Sequence, residues 1–394
     1  MEDVVIVSAK RTPIGKFMGS LSGVSAPNLG AVAIKSCLET ANVSGDTVEQ
    51  VIMGNVLQAG LGQAPARQAA IYAGLPKSVG AITLHKVCGS GLRTIMDASN
   101  GIKAGEWSTV VAGGMENMSQ SPHILMGSRN GYKMGNTQMV DSMVHDGLWD
   151  PYGDKHMGNC AELCASKYEF SREAQDAFAL ESYNRAQKAA TNGLFDSEMA
   201  TVLVPQRKGD PVSVTADDEP FAAPLDKMAK LRPAFQKDGT VTAANASKLN
   251  DGGAAVLVAA SSKAKDLGLK PMARIVSYAS HAQDPEWFTT APVTAAQKAL
   301  EKAELTAAQI DAWEINEAFA VVTMASIKDL KLDPAKVNPK GGAVALGHPI
   351  GCSGTRILVT LLHHLRRNNL KYGCASICIG GGEAAAIIVE NLTV

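Results

Sequence analysis

A short glycine-rich motif occurs twice in the chain. Residues 89–93 read Gly-Ser-Gly-Leu-Arg, and residues 352–356 read Cys-Ser-Gly-Thr-Arg. A second echo follows, because residues 113–116 (GGME) are similar to residues 380–383 (GGGE). The two separations, 263 and 267 residues, are reconciled by a four-residue insertion. Two echoes in the same order favour duplicated halves, although small-residue turns also look alike by chance.

Short apolar runs bounded by turn residues alternate with helical patterns. Three such runs are typical of buried strands: residues 4–7, 51–53 and 110–112. Residues 92–102 place their apolar side chains on one helical face, and Gly105 is a suitable stop. Thr294 with Gln297, and Thr306 with Gln309, predict capping boxes that open two further helices. Strands that alternate with helices predict a layered α/β fold.

Residues 121–249 differ in character from the rest of the chain. They are rich in methionine between 126 and 143, carry five prolines between 205 and 233, and include one clear helix beginning near Ser171. We interpret them as an excursion inserted before the strand predicted at 254–260. A long insertion of this kind usually forms a binding surface or a lid, and the alternative is a solvent-exposed segment that has no such role.

The composition argues against several classes of protein. A length of 394 residues predicts two or three domains. The chain has 37 Lys and Arg against 38 Asp and Glu, which argues against a nucleic-acid partner. No apolar run reaches the roughly 18 residues that span a bilayer. Seven cysteines at irregular spacing argue against a disulfide framework. We therefore expect a cytoplasmic protein without a membrane partner.

Cys88 and His348 each lie directly before a predicted helix. A cysteine there feels the positive end of the helix dipole, which predicts a lowered thiol pKa. A small buried hydrophobe is an equally good interpretation of Cys88. His348 lies in the glycine-rich stretch 338–354, where it can deprotonate a thiol or donate to a carbonyl oxygen. Anion binding is the alternative, but the stretch lacks the Lys-Ser/Thr ending of a nucleotide P-loop.

Two further stretches combine polar residues with apolar surroundings. Cys378 lies at the rim of a predicted strand–turn–strand whose turn begins at Gly380. Consecutive glycines let backbone N–H groups form an oxyanion hole, and a buried structural cysteine is the alternative. Residues 313–320 (WEINEAFA) place Asn316 among apolar residues, where it needs a partner if it is buried. Helix capping or solvent exposure would also explain this asparagine.

Together these stretches resemble the thiolase family over essentially the whole chain. Four motifs carry the resemblance: CGSG at 88–91, NEAFA at 316–320, the His-Pro stretch at 338–354 and CIGGG at 378–382. The resemblance implies an α/β fold with two duplicated halves in five α/β/α/β/α layers and an inserted loop domain. The implied domains are residues 1–270, with the loop domain inserted at about 121–249, and residues 271–394. Members form homodimers or, commonly in this branch, homotetramers built as dimers of dimers.

The resemblance is strongest to the short-chain biosynthetic branch and implies acetyl-CoA C-acetyltransferase activity. Cys88 would attack an acetyl-CoA thioester with the help of His348, and CoA would leave. Cys378 would take an α-proton from a second acetyl-CoA, whose enolate attacks acetyl-Cys88 to give acetoacetyl-CoA. His348 and a water held by Asn316 would stabilise the enolate oxygen. The N–H groups of Cys88 and Gly380 would stabilise the tetrahedral intermediate. Neither a metal nor a redox cofactor is implied.

The resemblance also implies contacts to CoA. The positions that match the family's pantetheine and acyl lining are Leu148, His156, Met157, Ser247, Ala318 and Phe319. The candidates for the CoA phosphates are Arg207, Lys208, Lys227, Lys230 and Arg232, although a solvated basic face is the more common role of such residues.

Three residues depart from the family pattern. His85 stands where the family usually has Asn, and Lys248 replaces the usual Gly after Ser247. Phe288 occupies a region where several short-chain members carry Met, which leaves the preferred acyl length open. Two alternatives therefore remain: a degradative 3-ketoacyl-CoA thiolase for longer or branched chains, and a non-catalytic carrier of CoA or lipid.

Overall fold

The computed structural model of the chain describes residues 2–394. The first elements, in chain order, are β1 (Val4–Arg11), β2 (Gly15–Lys16), α1 (Ala26–Ala41), β3 (Gln50–Gly54), α2 (Pro65–Tyr72), β4 (Gly80–Leu84), α3 (Ser90–Lys103) and β5 (Thr109–Asn117). The strands expected at 4–7, 51–53 and 110–112 lie inside β1, β3 and β5. Gly105 follows α3 with φ +75°, so the predicted helix and its stop are confirmed.

The predicted insertion has small elements of its own. They are β6 (His123–Ile124), β7 (Val140–Asp141), α4 (Ser142–Gly147), β8 (Trp149–Asp150), β9 (Lys155–His156), α5 (Met157–Tyr168), α6 (Arg172–Thr191), β10 (Val202–Val204) and β11 (Val212–Val214). Ser171 caps α6, because its hydroxyl accepts the Ala174 N–H at 3.2 Å. This confirms the one helix predicted here.

The remaining elements lead back into the layered core. They are β12 (Asn250–Ala260), α7 (Ser261–Asp266), β13 (Ala273–Ala282), α8 (Ala291–Ala303), β14 (Ala312–Ile315), α9 (Ala320–Leu330), α10 (Ala343–Leu346), α11 (Ile350–Arg367), β15 (Tyr372–Ile379) and β16 (Glu383–Asn391). The capping box of Thr306 with Gln309 is present, but it opens only a short 3-10 helix. The box predicted at Thr294 is wrong, because α8 already begins at Ala291, with Pro292 in its first turn.

Ten strands form one hydrogen-bonded sheet, with the path β14-β15-β16-β13-β1-β12-β5-β3-β4 and with β2 paired to β12, whereas β6-β7, β8-β9 and β10-β11 form separate two-stranded sheets. β1 and β13 pair through Val5 with Arg274 and through Ile6 with Ala273. The path is therefore two sheets joined along this short pairing: the first sheet contains β1, β12, β5, β3 and β4, and the second contains β13, β16, β15 and β14. No helix within residues 2–394 is long and apolar enough to cross a membrane.

Helices lie between the two sheets and on both outer faces. The apolar side chains of α3 and α11 pack between the sheets. α1 and α2 cover the outer face of the first sheet, and α8 covers the outer face of the second. This confirms five α/β/α/β/α layers built from two similar halves. The domain boundary near residue 270 stays a prediction; it falls between the end of β12 and the start of β13.

The first sequence echo marks the contact between α3 and α11. A Cβ on Gly354 would lie 2.3 Å from the Leu92 nitrogen, so only glycine allows the two backbones to approach this closely. Thr355 Oγ1 donates to the Gly91 carbonyl at 2.8 Å. The second echo does not join equivalent positions, because residues 113–116 lie inside β5 whereas residues 380–382 form a turn. The four-residue insertion inferred from it is therefore wrong.

Candidate active site

Cys88 lies in the loop between β4 and α3, two residues before the helix begins. The preceding Val87 has φ +44°, which is strained for a β-branched residue. The Ser90 hydroxyl holds this turn, because it accepts the Lys86 N–H at 2.8 Å and donates to the Val87 carbonyl at 2.6 Å. The strained turn fixes the position of Cys88 next to the N-terminal end of α3.

The structure contradicts the expectation of a lowered Cys88 pKa. Burial raises the pKa of the Cys88 thiol to about 11, although hydrogen bonds from the backbone N–H groups of Gly380 and Cys88 itself oppose the rise. Cys88 precedes the N-cap Gly89, and the helix dipole acts only over the first turn. Desolvation therefore determines the direction of the pKa shift of Cys88. The resting thiol is protonated at neutral pH and needs a base.

Cys378 is the second-last residue of β15 and is fully buried. The turn that follows it packs against the Cys88 loop. A Cβ on Gly89 would lie 2.3 Å from Ile379 Cδ1, and Lys86 forms an ion pair with Glu383. Burial, together with the negative charge of a Cys88 thiolate, raises the pKa of Cys378. The fold therefore brings the two predicted thiols together.

His348 precedes α11 and is held by hydrogen bonds at its backbone and at its ring. Its backbone N–H donates to Asn250 Oδ1 at 2.8 Å, and Ser353 Oγ lies 2.6 Å from its Nδ1. Ser353 Oγ donates its own proton to the Pro349 carbonyl at 3.0 Å, so it accepts a proton from Nδ1. This network assigns the proton to Nδ1 and leaves the Nε2 lone pair as a base.

Asn316 follows β14 and lies against the His348 ring. Its Nδ2 is 3.5 Å from both ring nitrogens, and its Oδ1 has no hydrogen-bond partner among residues 2–394. Such a buried amide has the hydrogen-bonding capacity that a water-holding residue needs. Burial, followed by the positive charge of Arg356, lowers the pKa of His348 to about 3. His348 is therefore neutral at physiological pH.

Glu116 was not recognised from the sequence as part of this site. Its buried carboxylate accepts the N–H groups of Val56 and Leu57, at 3.0 and 3.1 Å, and of Gly351 at 2.9 Å. It also accepts Asn55 Nδ2 at 2.7 Å. Burial raises the pKa of Glu116 to about 7 against these donors. Glu116 thereby ties the first half of the chain to the first turn of α11.

A cavity of about 370 Å³ leads to His348. Five of the residues predicted to contact CoA line it: Leu148, His156, Met157, Ser247 and Phe319. The sixth, Ala318, lies directly behind, where its carbonyl accepts the Ser247 N–H at 2.9 Å. Lining residues that the sequence did not single out for this role are Met118, Met143, Val144, Ala234, Phe235, Ala243, Ala246, Lys248, Leu249 and Ile350. The five basic candidates for the CoA phosphates are exposed, and none of them lines this cavity.

His156 has a defined proton position in the cavity wall. Its Nδ1 accepts the Gly158 N–H at 3.0 Å, which places the proton of the neutral ring on Nε2. Its ring stacks on Phe235 with 4.8 Å between the centroids. Burial lowers the pKa of His156, so the ring is neutral and provides a donor to a ligand.

The three residues that depart from the family pattern lie in different places. His85 is exposed, and its Nδ1 accepts the Val87 N–H at 3.3 Å. Phe288 is buried and packs edge-on against Phe319, with 6.3 Å between the ring centroids. Lys248 lines the cavity beside Ser247.

The fold and this site define an acyltransferase with paired thiols and a buried neutral imidazole. Sequence models of the thiolase N-terminal domain and the thiolase C-terminal domain match residues 4–262 and 269–391. The chain belongs to the thiolase family.

Named relatives are similar over nearly the full length. The acetyl-CoA acetyltransferases of Cupriavidus necator and Pseudomonas aeruginosa are 56% and 52% identical over 392 residues, which covers 99% of this chain and 100% of each relative. The crystal structure of Acat5 thiolase from Ascaris suum in complex with coenzyme A is similar with a TM-score of 0.94 and 43% identity. That comparison covers 99% of this chain and 100% of the other.

Proposed function

We propose that this enzyme is an acetyl-CoA C-acetyltransferase. It would join two acetyl-CoA molecules into acetoacetyl-CoA and CoA, reversibly. The observation that carries the proposal is the proximity of Cys88 to Cys378 and to Ile350, two residues after His348, which lines a cavity suited to a pantetheine arm. The names of the similar acetyltransferases support the same activity.

The first half-reaction transfers an acetyl group to the enzyme. Nε2 of His348 takes the Cys88 proton, and the sulfur attacks the thioester carbonyl. The backbone N–H groups of Cys88 and Gly380 stabilise the oxyanion of the intermediate. The carbon–sulfur bond to CoA then breaks, and the departing thiolate takes the Cys378 proton.

The second half-reaction forms the carbon–carbon bond. The Cys378 thiolate removes an α-proton from a second acetyl-CoA, and protonated His348, with a water on Asn316, stabilises the enolate oxygen. The enolate carbon attacks the acetyl carbonyl on Cys88, whose thiolate leaves and regains its proton from His348. Burial makes the Cys378 thiolate strongly basic, which suits a weak carbon acid.

The proposed chemistry involves no change of oxidation state, and we assign each proton transfer and each oxyanion to groups of the protein, so the proposal includes neither a redox cofactor nor a metal. CoA is a substrate or product. We place the reaction in the cytoplasm, because all seven cysteines are free thiols, as in a reducing compartment.

Phe288 favours short acyl chains over the degradative alternative. It belongs to the same buried cluster as Cys378, Ala318 and Phe319, and so occupies space next to the acyl end of the site. We expect CoA-dependent cleavage of acetoacetyl-CoA to be fastest, and kcat/KM to fall about 10-fold or more for the six-carbon 3-ketoacyl-CoA. The assay compares chains of four, six and eight carbons. Equal or faster cleavage of the eight-carbon substrate would support a degradative thiolase, and no cleavage at all would support a carrier.

Two exposed features support assembly as a dimer of dimers. β4 is the edge strand of the first sheet, and its Ile82 is 43% exposed. The segment at 125–139 exposes five large apolar side chains: Leu125, Met126, Tyr132, Met134 and Met139. Edges and apolar patches of this kind are typical of subunit contacts. Light scattering should give four times the 41.2 kDa chain mass, and a monomer mass would contradict the assembly.

A further inference from the structure

The side chain of Lys248 connects two parts of the site. Its ammonium group donates to the Ala246 carbonyl at 2.8 Å and to the Val344 carbonyl at 3.2 Å. Ala246 belongs to the wall of the CoA cavity, beside Ser247. Val344 lies in α10, four residues before His348. A glycine at position 248, which the family usually carries, makes neither hydrogen bond.

An aromatic ring and two acidic side chains lie near this half-buried ammonium group. The Tyr183 ring on α6 lies 5.6 Å away, and the carboxylates of Glu219 and Glu317 act on the ammonium group electrostatically. Glu317 Oε2 also accepts the Val344 N–H at 3.1 Å. The peptide groups at Val344 are therefore held from both sides, by Glu317 at the N–H and by Lys248 at the carbonyl.

A second hydrogen bond joins the same two segments. Asn250, two residues after Lys248, accepts the backbone N–H of His348 at 2.8 Å. Gly347 lies between the two attachments with φ +102°, and a Cβ there would lie 2.4 Å from Asn250 Oδ1. The packing leaves little room for independent movement. Residues 246–250 therefore hold residues 344–348 at two points.

We propose that Lys248 is a positioning residue that fastens the wall of the CoA cavity to the segment that carries His348. The proposal rests on the proposed function, because it assigns CoA esters to this cavity. Without the lysine, the wall and α10 would have to become ordered when CoA binds, which weakens binding. With the lysine, the cavity is ordered before the ligand arrives.

The test compares the wild type with Lys248→Met, which keeps a long unbranched side chain but removes the ammonium group and both of its hydrogen bonds. We expect KM for CoA and for acetoacetyl-CoA to rise about 10-fold, with kcat within about threefold, since each hydrogen bond involves a charged donor. Amide hydrogen exchange of the unliganded enzyme should become faster at 246–249 and at 343–347. Lys248→Gly, the residue usual in the family, provides a second variant if methionine is not tolerated.

Lys336→Met is the matched control. Its ammonium group also donates to a backbone carbonyl, that of Ile310 at 3.2 Å, but it does not line the CoA cavity. This variant should keep the KM values and the exchange at both segments. An unchanged KM in Lys248→Met, despite faster exchange, would make Lys248 a purely structural residue and overturn the proposal. A raised KM with unchanged exchange at 343–347 would instead show a direct contact with CoA, which also overturns it.

A failure of the proposed function gives a different pattern. A wild-type enzyme that neither binds nor cleaves CoA esters would contradict the acetyltransferase assignment, and with it the assigned role in CoA binding. The exchange experiment needs no substrate, so it tests the connection between the two segments separately. Unchanged exchange in Lys248→Met would refute the connection even in a fully active enzyme.

Discussion

Replacing Cys378 with alanine is expected to separate the two half-reactions. Cys378→Ala should still accept an acetyl group on Cys88, because His348 and the backbone N–H groups around the Cys88 sulfur remain. CoA carries an alkyl thiol like that of cysteine, whose ordinary pKa is about 8.5, so it can leave as a thiolate near neutral pH. Condensation should be lost, because no group remains to form the enolate. Removal of a general base costs about 100-fold to 10,000-fold, and we expect the upper end or beyond for a weak carbon acid.

Two measurements on the same Cys378→Ala preparation test this separation. Peptide mass spectrometry should find the acetyl group on Cys88 in both wild type and variant, and on none of the other six cysteines. Exchange of the acetyl-CoA methyl protons with deuterated water should occur in the wild type and disappear in the variant. Exchange at the wild-type rate in the variant would remove Cys378 from the mechanism and leave it a buried structural thiol.

Much of the layered fold could be predicted because its signals are local. The apolar runs inside β1, β3 and β5 are bounded by turn residues, and the repeated Ser-Gly pair at 90–91 and 353–354 marks the place where α3 meets α11. The candidate catalytic residues were found because each lies in a motif specific to the family. The second echo led to a wrong alignment of the two halves, because the glycines at 113–114 lie in a strand whereas those at 380–382 form a turn, and the sequence alone does not distinguish these conformations.

The electrostatics of the site could not be predicted in the same way. The helix-start position of Cys88 suggested a lowered pKa, but desolvation depends on side chains that arrive from distant parts of the chain, such as Ile350 and Met143. The same holds for Glu116, which accepts the Gly351 N–H across 235 positions in the sequence. Ser353 lies in the His-Pro stretch at 338–354, but its role at His348 depends on the donation of its hydroxyl proton to the Pro349 carbonyl. Contacts of this kind are determined by tertiary packing.

Replacing His348 with alanine is expected to suppress both half-reactions, unlike the change at Cys378. His348 is the base for Cys88 and, once protonated, a donor to the enolate oxygen. Loss of a base costs about 100-fold to 10,000-fold, and loss of an oxyanion donor about 100-fold to 1,000-fold. We therefore expect the overall rate to fall about 10,000-fold or more. Rapid-quench measurement should show slow formation of acetyl-Cys88 as well as slow condensation.

The pH dependence gives an independent check on the state of His348. Its pKa, lowered to about 3, keeps Nε2 unprotonated as the pH falls from 8 to 5. The rate of acetyl-Cys88 formation in the wild type should therefore show no inflection near pH 6.5 due to this histidine. An ordinary histidine would lose its base function across that range. An acid limb near pH 6.5 that disappears in His348→Ala would show that the imidazole titrates normally.

Ser353→Ala is the matched control, because it keeps the imidazole and removes only the acceptor of its Nδ1 proton. The lost hydrogen bond of 2.6 Å allows the proton to move to Nε2, where it blocks the base. A buried hydrogen bond contributes about 0.5 to 1.5 kcal/mol, so the rate of acetyl transfer should fall about 10-fold, far less than in His348→Ala. If His348→Ala formed acetyl-Cys88 as fast as the wild type, another group would be the base, and the tautomer argument would fail with it.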